Sequence, residues 1–118
     1  MCNIFILDDD PDTVEVIEMI LIRNGFKVNS FFQPDTLLEA IDMNMPHVIL
    51  LDVRIGDKDG REVCQQIKNN WGNKIKVILS SAELKLKQSA MDYMADDFLE
   101  KPFDLHDLVN KVKQYCDK

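Results

Sequence analysis

The chain has 118 residues, which suits one globular domain with a single core and is too short for two. Its apolar share of 46% with 30% charged residues is ordinary for a folded protein and excludes a disordered chain. The net charge of -7 disfavours direct binding to nucleic acid or to an anionic membrane surface, because both need clustered lysine and arginine.

Short apolar runs alternate with stretches of helical period along the chain. This pattern is typical of repeated βα units and of a parallel sheet covered by helices on both faces. The predicted strands cover residues 4–7, 26–32, 48–52, 76–81 and 97–100. The first predicted helix runs from Pro11 to Asn24 with Asp10 as N-cap, and the second runs from Pro34 to Asn44. The third passes through Val63, Ile67 and Trp71 and ends at Gly72. The fourth covers residues 83–93, including Leu84, and the last begins at its cap, Asp104, and passes through Cys116.

The third strand is the most apolar, since Val48 to Leu51 are all apolar before the chain reaches Asp52. Apolar side chains on both faces predict a strand buried on both faces, at the centre of a parallel sheet. The more polar second strand is predicted at a sheet edge. Residues 53–60, with two glycines among charged residues, predict a mobile and exposed loop.

Charged and hydroxyl side chains follow the inner strands. They are Asp8 and Asp9 after the first, Asp52 after the third, Ser81 after the fourth and Lys101 after the fifth. Right-handed crossovers bring these strand ends to one edge of the sheet, where ligands bind in open α/β folds. Three neighbouring carboxylates repel one another unless a cation or proton joins them, and hard oxygen ligands favour Mg²⁺. The lysine and the serine would then hold a phosphoryl group on, or passing through, Asp52, which can act as a carboxylate nucleophile.

Over essentially its whole length the sequence resembles the receiver domains of two-component response regulators. The matching motifs are Asp8-Asp9, the run from Val48 through Asp52 to Val53, Asp59-Gly60, Ser81-Ala82, Phe98 and Lys101-Pro102-Phe103. The resemblance implies one receiver domain over residues 1–118 with a flavodoxin-like α/β fold. That fold is a doubly wound five-stranded parallel sheet of order 2-1-3-4-5 with five helices.

The resemblance also implies a role for each site residue. Asp9, Asp52 and the backbone carbonyl of Arg54 would bind Mg²⁺ directly, with Asp8 acting through water. Asp52 would be the phosphoacceptor. Ser81 and Lys101 would hold the phosphate oxygens, Ser81 and Phe98 would form the switch, and the peptide bond between Lys101 and Pro102 would be cis.

The implied partners are proteins. A phosphohistidine of a histidine kinase or of a histidine phosphotransfer protein would donate the phosphoryl group. A downstream protein would bind the surface of the fourth helix, fifth strand and last helix. Such a domain is not a conventional enzyme, although it catalyses its own phosphorylation and dephosphorylation.

Many family members have proline where this chain has Gly56, so a more flexible loop is expected here.

Two other readings compete. A small haloacid-dehalogenase-like phosphatase would use Asp8 as its nucleophile, and Asp8-Asp9-Asp10 fits its D-x-D motif, although Asp12 departs from it. A flavin- or nucleotide-binding protein is disfavoured, because the phosphate of its ligand would bind the loop after the first strand, where three aspartates would repel it. The protein could act alone or be one module of a longer regulator.

The three cysteines, Cys2, Cys64 and Cys116, are odd in number and far apart, with no C-x-x-C pair. We therefore expect free thiols in a reducing cytoplasm and no zinc site. No signal peptide opens the chain, and no apolar run approaches the roughly 18 residues of a membrane span. The sequence thus predicts a cytoplasmic, soluble protein.

Overall fold

The computed structural model describes residues 2–83 and 85–116. In chain order its strands are β1 (Asn3–Leu7), β2 (Lys27–Phe31), β3 (Val48–Asp52), β4 (Arg54–Ile55), β5 (Lys58–Asp59), β6 (Lys76–Ser81) and β7 (Asp97–Glu100). Five of them form one parallel sheet of order β2-β1-β3-β6-β7. Without the short strands β4 and β5 this is the order 2-1-3-4-5, so the predicted flavodoxin-like fold is confirmed.

Within the described residues the chain forms five α-helices: α1 (Pro11–Arg23), α2 (Pro34–Met43), α3 (Gly60–Trp71), α4 (Leu86–Asp92) and α5 (Leu105–Cys116). A short 3-10 turn over Gly72–Lys74 follows α3. Asp10 caps α1 as predicted, because its carboxylate accepts hydrogen bonds from the Asp12 amide and the Thr13 hydroxyl. None of the described helices has the length and apolar character needed to cross a membrane.

The fourth helix is shorter than the predicted range of 83–93. It begins at Leu86 because Glu83 belongs to the preceding turn, where its amide donates to the Ser81 hydroxyl. Leu84, which was assigned to this helix, lies outside the described residues.

Apolar residues pack on both faces of the sheet. Along β1, Phe5 and Leu7 contribute to the core under α2, α3 and α4, whereas Ile4 and Ile6 contribute to the core under α1 and α5. The same alternation holds along β3, which lies at the centre of the sheet as predicted. Each central strand is therefore fixed from two sides, and its carboxyl end has a defined position.

The prediction of an exposed loop over residues 53–60 was only partly right, because Arg54 and residues 56–58 are exposed but the segment contains regular structure and two buried side chains. Strands β4 and β5 form a two-stranded antiparallel hairpin there, and the side chains of Val53 and Ile55 are buried. Residues two apart in a strand point to the same side, which explains why these two apolar side chains reach the core together. Gly56 takes a φ of +58° as the first central residue of the two-residue turn, where glycine is favoured.

The prediction of three free thiols was wrong. Cys2 and Cys116 form a disulfide whose Cα atoms are 5.9 Å apart, and Cys64 alone is free. The two residues are 114 positions apart in sequence. They meet because Cys2 directly precedes β1 at the amino edge of the sheet, where the last turn of α5 also ends.

Candidate functional site

Three carboxylates gather at the carboxyl edge of the sheet. Strands β1 and β3 are hydrogen-bonded neighbours, with Leu7 paired to Leu51, so Asp8 and Asp52 follow at adjacent strand ends. One carboxylate oxygen from each of Asp8, Asp9 and Asp52 lies within 4.8 Å of the other two. The structure therefore brings together the acids that the sequence predicts at one site.

Lys101 supplies the cation nearest to these acids. Its Nζ donates to Oδ2 of Asp8 over 2.8 Å and to Oδ2 of Asp52 over 3.3 Å. The residue follows β7, where its amide donates to the carbonyl of Ser81, and the peptide bond from Lys101 to Pro102 is cis, as the resemblance implied. One ammonium thus faces three carboxylates, which leaves the cluster short of positive charge.

The surroundings of Asp52 change the protonation of its carboxyl group. Burial raises the pKa of Asp52 to about 6; the Lys101 ammonium acts against this increase, and the neighbouring Asp8 carboxylate adds to it. Although burial opposes it, the ion pairs with Asp8 and Asp52 raise the pKa of Lys101. A divalent cation would relieve the repulsion, and an all-oxygen donor set is what Mg²⁺ takes. The residues present therefore fit a magnesium ion.

Asp9 connects the acid cluster to the hairpin. Its Oδ2 accepts a hydrogen bond of 2.8 Å from the amide of Gly56, at the hairpin turn. Proline, the residue that the family resemblance leads us to expect here, has no N–H to donate. With glycine at this position, the hairpin contacts the acid cluster directly.

Gly60 sets the close approach of α3 to the end of β3. A Cβ atom at this position would overlap the backbone carbonyl oxygen of Asp52, so no other residue fits without a shift of the chain. Asp59 caps the helix, since its carboxylate accepts from the Arg61 amide over 2.9 Å. The Asp59-Gly60 motif is thereby explained by packing.

Ser81 lies buried on the other side of Asp52, at the end of β6. It lines, with Asp52 and Lys101, a small pocket of about 220 Å³. Its Oγ accepts a hydrogen bond of 3.0 Å from the Glu83 amide. A phosphoryl group on Asp52 would therefore have a hydroxyl and an ammonium within the same pocket.

An ion pair that sequence reasoning missed lies at the mouth of this pocket. Nε of Arg54 donates to Oε1 of Glu83 over 2.6 Å, and this contact lowers the pKa of Glu83. The sequence signal that could have indicated this pair is spacing: Arg54 follows Asp52 by two residues, and Glu83 follows Ser81 by two. Both side chains line the pocket and can therefore influence access to Asp52.

Comparison with known proteins decides the family. The family model described as response regulator receiver domain matches residues 4–113. The chain belongs to the response regulator receiver domain family. It is 30% identical over 113 residues to the response regulator ArlR of Staphylococcus saprophyticus, covering 96% of this chain and 51% of that protein. The ArlR of Staphylococcus haemolyticus is 25% identical over the same length, so the receiver domain spans about half the length of the curated relatives it matches.

Solved structures give the same result. NtrX from Brucella abortus superimposes with a TM-score of 0.90 at 26% identity, over 99% of this receiver domain and 27% of that chain. The BeF3-activated DrrB receiver domain superimposes with a TM-score of 0.88 at 28% identity, over 100% and 99% of the two chains. The chain is thus a receiver domain of two-component signalling in fold and in family.

The phosphatase alternative is not supported by these findings. A nucleophilic carboxylate needs an oxygen open to the substrate, and Asp8 is only 3% exposed. In this receiver domain Asp52 faces the pocket instead.

Every role that the resemblance implies for a site residue stays a prediction, including Asp52 as phosphoacceptor, the magnesium ligands, and Ser81 and Lys101 on the phosphate oxygens. The amide of Arg54 lies 3.4 Å from Oδ1 of Asp52, which places this backbone beside the acids, but its carbonyl as a metal ligand is untested. Phe98 is buried on β7 beside Leu79 of β6, and its part in a switch is equally untested.

Proposed function

We propose that this receiver domain accepts a phosphoryl group on Asp52 from a phosphohistidine of a histidine kinase or of a histidine phosphotransfer protein, with Mg²⁺ as cofactor. The observation that carries this proposal is the arrangement around Asp52. Its carboxyl group lies between an acid cluster and an ammonium, opens into a small pocket, and has a pKa of about 6. At neutral pH most of the group is therefore ionised and nucleophilic.

Asp9, Asp52 and the backbone carbonyl of Arg54 would hold Mg²⁺ directly, and Asp8 would hold it through water. When bound, the ion neutralises charge on the acids and on the incoming phosphoryl oxygens. An oxygen of Asp52 forms the new bond to phosphorus while the bond from phosphorus to the donor's histidine nitrogen breaks. The loose transition state needs positioning and charge neutralisation, which Lys101 and Ser81 supply.

We further propose how phosphorylation is read. The negatively charged phosphoryl group on Asp52 would draw the Ser81 hydroxyl away from the Glu83 amide and toward a phosphate oxygen. The Phe98 side chain would follow this movement within the core. An open groove of about 700 Å³, lined from α4, β7 and α5 by residues such as Lys87, Glu100 and Asp107, supports a downstream protein partner at this surface. The domain would be a switch, not a conventional enzyme, and would work in the cytoplasm.

Intact mass spectrometry tests the acceptor. The protein is incubated with Mg²⁺ and acetyl phosphate, and the wild type is compared with Asp52→Asn, Asp8→Asn and the surface control Asp35→Asn. We expect one added phosphoryl group on the wild type and on Asp35→Asn, slower addition to Asp8→Asn, and none on Asp52→Asn. Stoichiometric labelling of Asp52→Asn would disprove the assignment, and labelling unaffected by removal of Mg²⁺ would disprove the cofactor.

A further inference from the structure

The cysteine pair lies at the edge of the sheet opposite the acceptor. Cys2 precedes β1, and its backbone carbonyl accepts a hydrogen bond of 3.0 Å from the Lys27 amide at the start of β2. Cys116 lies in the last turn of α5, whose Leu108 and Val112 are buried in the core under α1 and α5. The fold therefore places both residues whether or not the sulfurs are joined.

The separation of the two residues suits a reversible bond. Their Cα atoms are 5.9 Å apart, within the usual range for disulfides. Because strand pairing holds one residue and helix packing holds the other, the reduced thiols would remain neighbours and could close again without refolding. Both are half-buried, so a small reagent can reach them.

Cys64 provides the contrast within the same chain. It is fully buried, and burial raises the pKa of its thiol to about 12. A thiol that is neither accessible nor ionised does not exchange with disulfides. Of the three cysteines, only Cys2 and Cys116 can therefore respond to the redox state of the medium.

We infer that Cys2 and Cys116 form a reversible thiol–disulfide site that a low-molecular-weight disulfide of the glutathione class oxidises, and that its state sets how firmly the end of α5 is held to the sheet. The thiolate of one cysteine attacks the reagent, releases one thiol and leaves a mixed disulfide. The second thiolate displaces the second thiol and closes the internal bond. The pair loses two protons and two electrons, which reduce the reagent to two thiols.

The bond acts on a helix that is also held by polar contacts, in addition to its apolar packing. Lys111 Nζ lies 3.0 Å from both carboxylate oxygens of Asp97, and the Tyr115 hydroxyl donates to the same carboxylate over 3.0 Å. These contacts remain after reduction, so α5 would stay folded while its last turn loosens. In the reducing cytoplasm proposed above, a disulfide is more often redox-responsive than permanent. Because α5 forms part of the surface proposed for the downstream protein, the bond would also affect that contact.

Thiol counting on the full chain tests the chemistry. The folded protein is reduced with dithiothreitol, reoxidised with glutathione disulfide, then unfolded and alkylated for mass analysis. We expect three alkylated cysteines after reduction and one after reoxidation. Asp52→Asn should give the same counts, so this result does not depend on the proposed acceptor chemistry.

Thermal unfolding tests the consequence. The oxidised wild type should melt about 10 °C above the reduced protein, because the bond closes a loop of nearly the whole chain. Cys64→Ser should keep this difference between the two states, whereas Cys2→Ser and Cys116→Ser should lose it. The inference is overturned if glutathione disulfide leaves mixed disulfides or dimers in place of the internal bond. It is equally overturned if dithiothreitol cannot reduce the bond in the folded protein, or if Cys2→Ser retains the shift in melting temperature.

Discussion

Each edge of the sheet contains a lysine–aspartate pair with one nearly buried side chain, Lys68 at the amino edge and Asp8 at the carboxyl edge, and the two pairs differ in charge balance. At the amino edge, Nζ of Lys68 donates to Oδ2 of Asp96 over 2.8 Å and to the carbonyl of Ile75 over 3.0 Å. That carboxylate oxygen also accepts from the Val77 amide over 2.8 Å, so the pair is matched and hydrogen-bonded. At the carboxyl edge, Lys101 faces three carboxylates.

The difference separates a structural ion pair from a functional site. A buried pair with matched charges holds elements together and needs no further ligand. A cluster with an excess of one charge is costly by itself and becomes favourable when a ligand of the opposite charge arrives. Burial and the presence of a lysine do not distinguish the two edges, whereas the count of charges does.

The largest expected effect is the loss of the matched pair. Lys68→Met leaves the Asp96 carboxylate without its cation in a partly buried position, and we expect it to lower the free energy of unfolding by about 3–5 kcal/mol. Denaturant titration measures this loss, with the exposed Lys113→Met as control. A loss no larger than that of Lys113→Met would contradict this account of the matched pair.

Backbone contact at the carboxyl edge gives the next effect. Gly60→Ala forces a Cβ against the carbonyl of Asp52, and we expect it to lower the free energy of unfolding by roughly 2–4 kcal/mol. Gly56→Ala is the matched control: its φ of +58° is unfavourable for alanine, but nothing lies near the added atom. We expect that variant to lose only about 1 kcal/mol. A larger loss for Gly56→Ala would refute this account of the Asp59-Gly60 motif.

A smaller effect on the free energy of unfolding follows from the pKa of Asp52. Folding raises the pKa of Asp52 from 3.8 to about 6, so the protonated carboxyl favours the folded state. The stability from this group is full below about pH 4 and is lost as the pH rises through 6. Without divalent metal at pH 7.5, Asp52→Asn should therefore raise the free energy of unfolding by about 1–2 kcal/mol after allowance for solvent screening. Denaturant titration measures this gain. The gain should vanish near pH 4, and a gain that persists there would exclude the electrostatic cause.

The smallest effect concerns access to the pocket. Glu83→Gln breaks the ion pair with Arg54, leaves a guanidinium free beside the pocket and removes one negative charge. We expect acetyl phosphate to label Asp52 roughly two- to fivefold faster, with the difference fading at high salt. Glu39→Gln, on the exposed face of α2, removes the same charge elsewhere. If both variants label equally fast, net charge and not the ion pair is responsible.

Much of the fold and the meeting of the site residues could be predicted because parallel topology leaves little freedom. Once residues 48–51 are read as a strand buried on both faces, Asp52 must lie at the carboxyl edge, and crossovers bring Asp8 and Lys101 to it. The other features depend on contacts that spacing does not encode. The hairpin strands have two residues each, too few to show a period, and the partners Cys2–Cys116 and Arg54–Glu83 are defined only by the fold.

The amide of Gly56 offers a spectroscopic probe that needs isotope enrichment of the protein but no attached reporter group. It donates a hydrogen bond to an oxygen of Asp9, the carboxylate that is proposed to bind Mg²⁺. Glycine amides occupy a sparsely populated region of a nitrogen–proton correlation spectrum, and the chain has only four glycines. The resonance of this one amide would therefore follow ion occupancy directly, at a point where a relative with proline gives no signal.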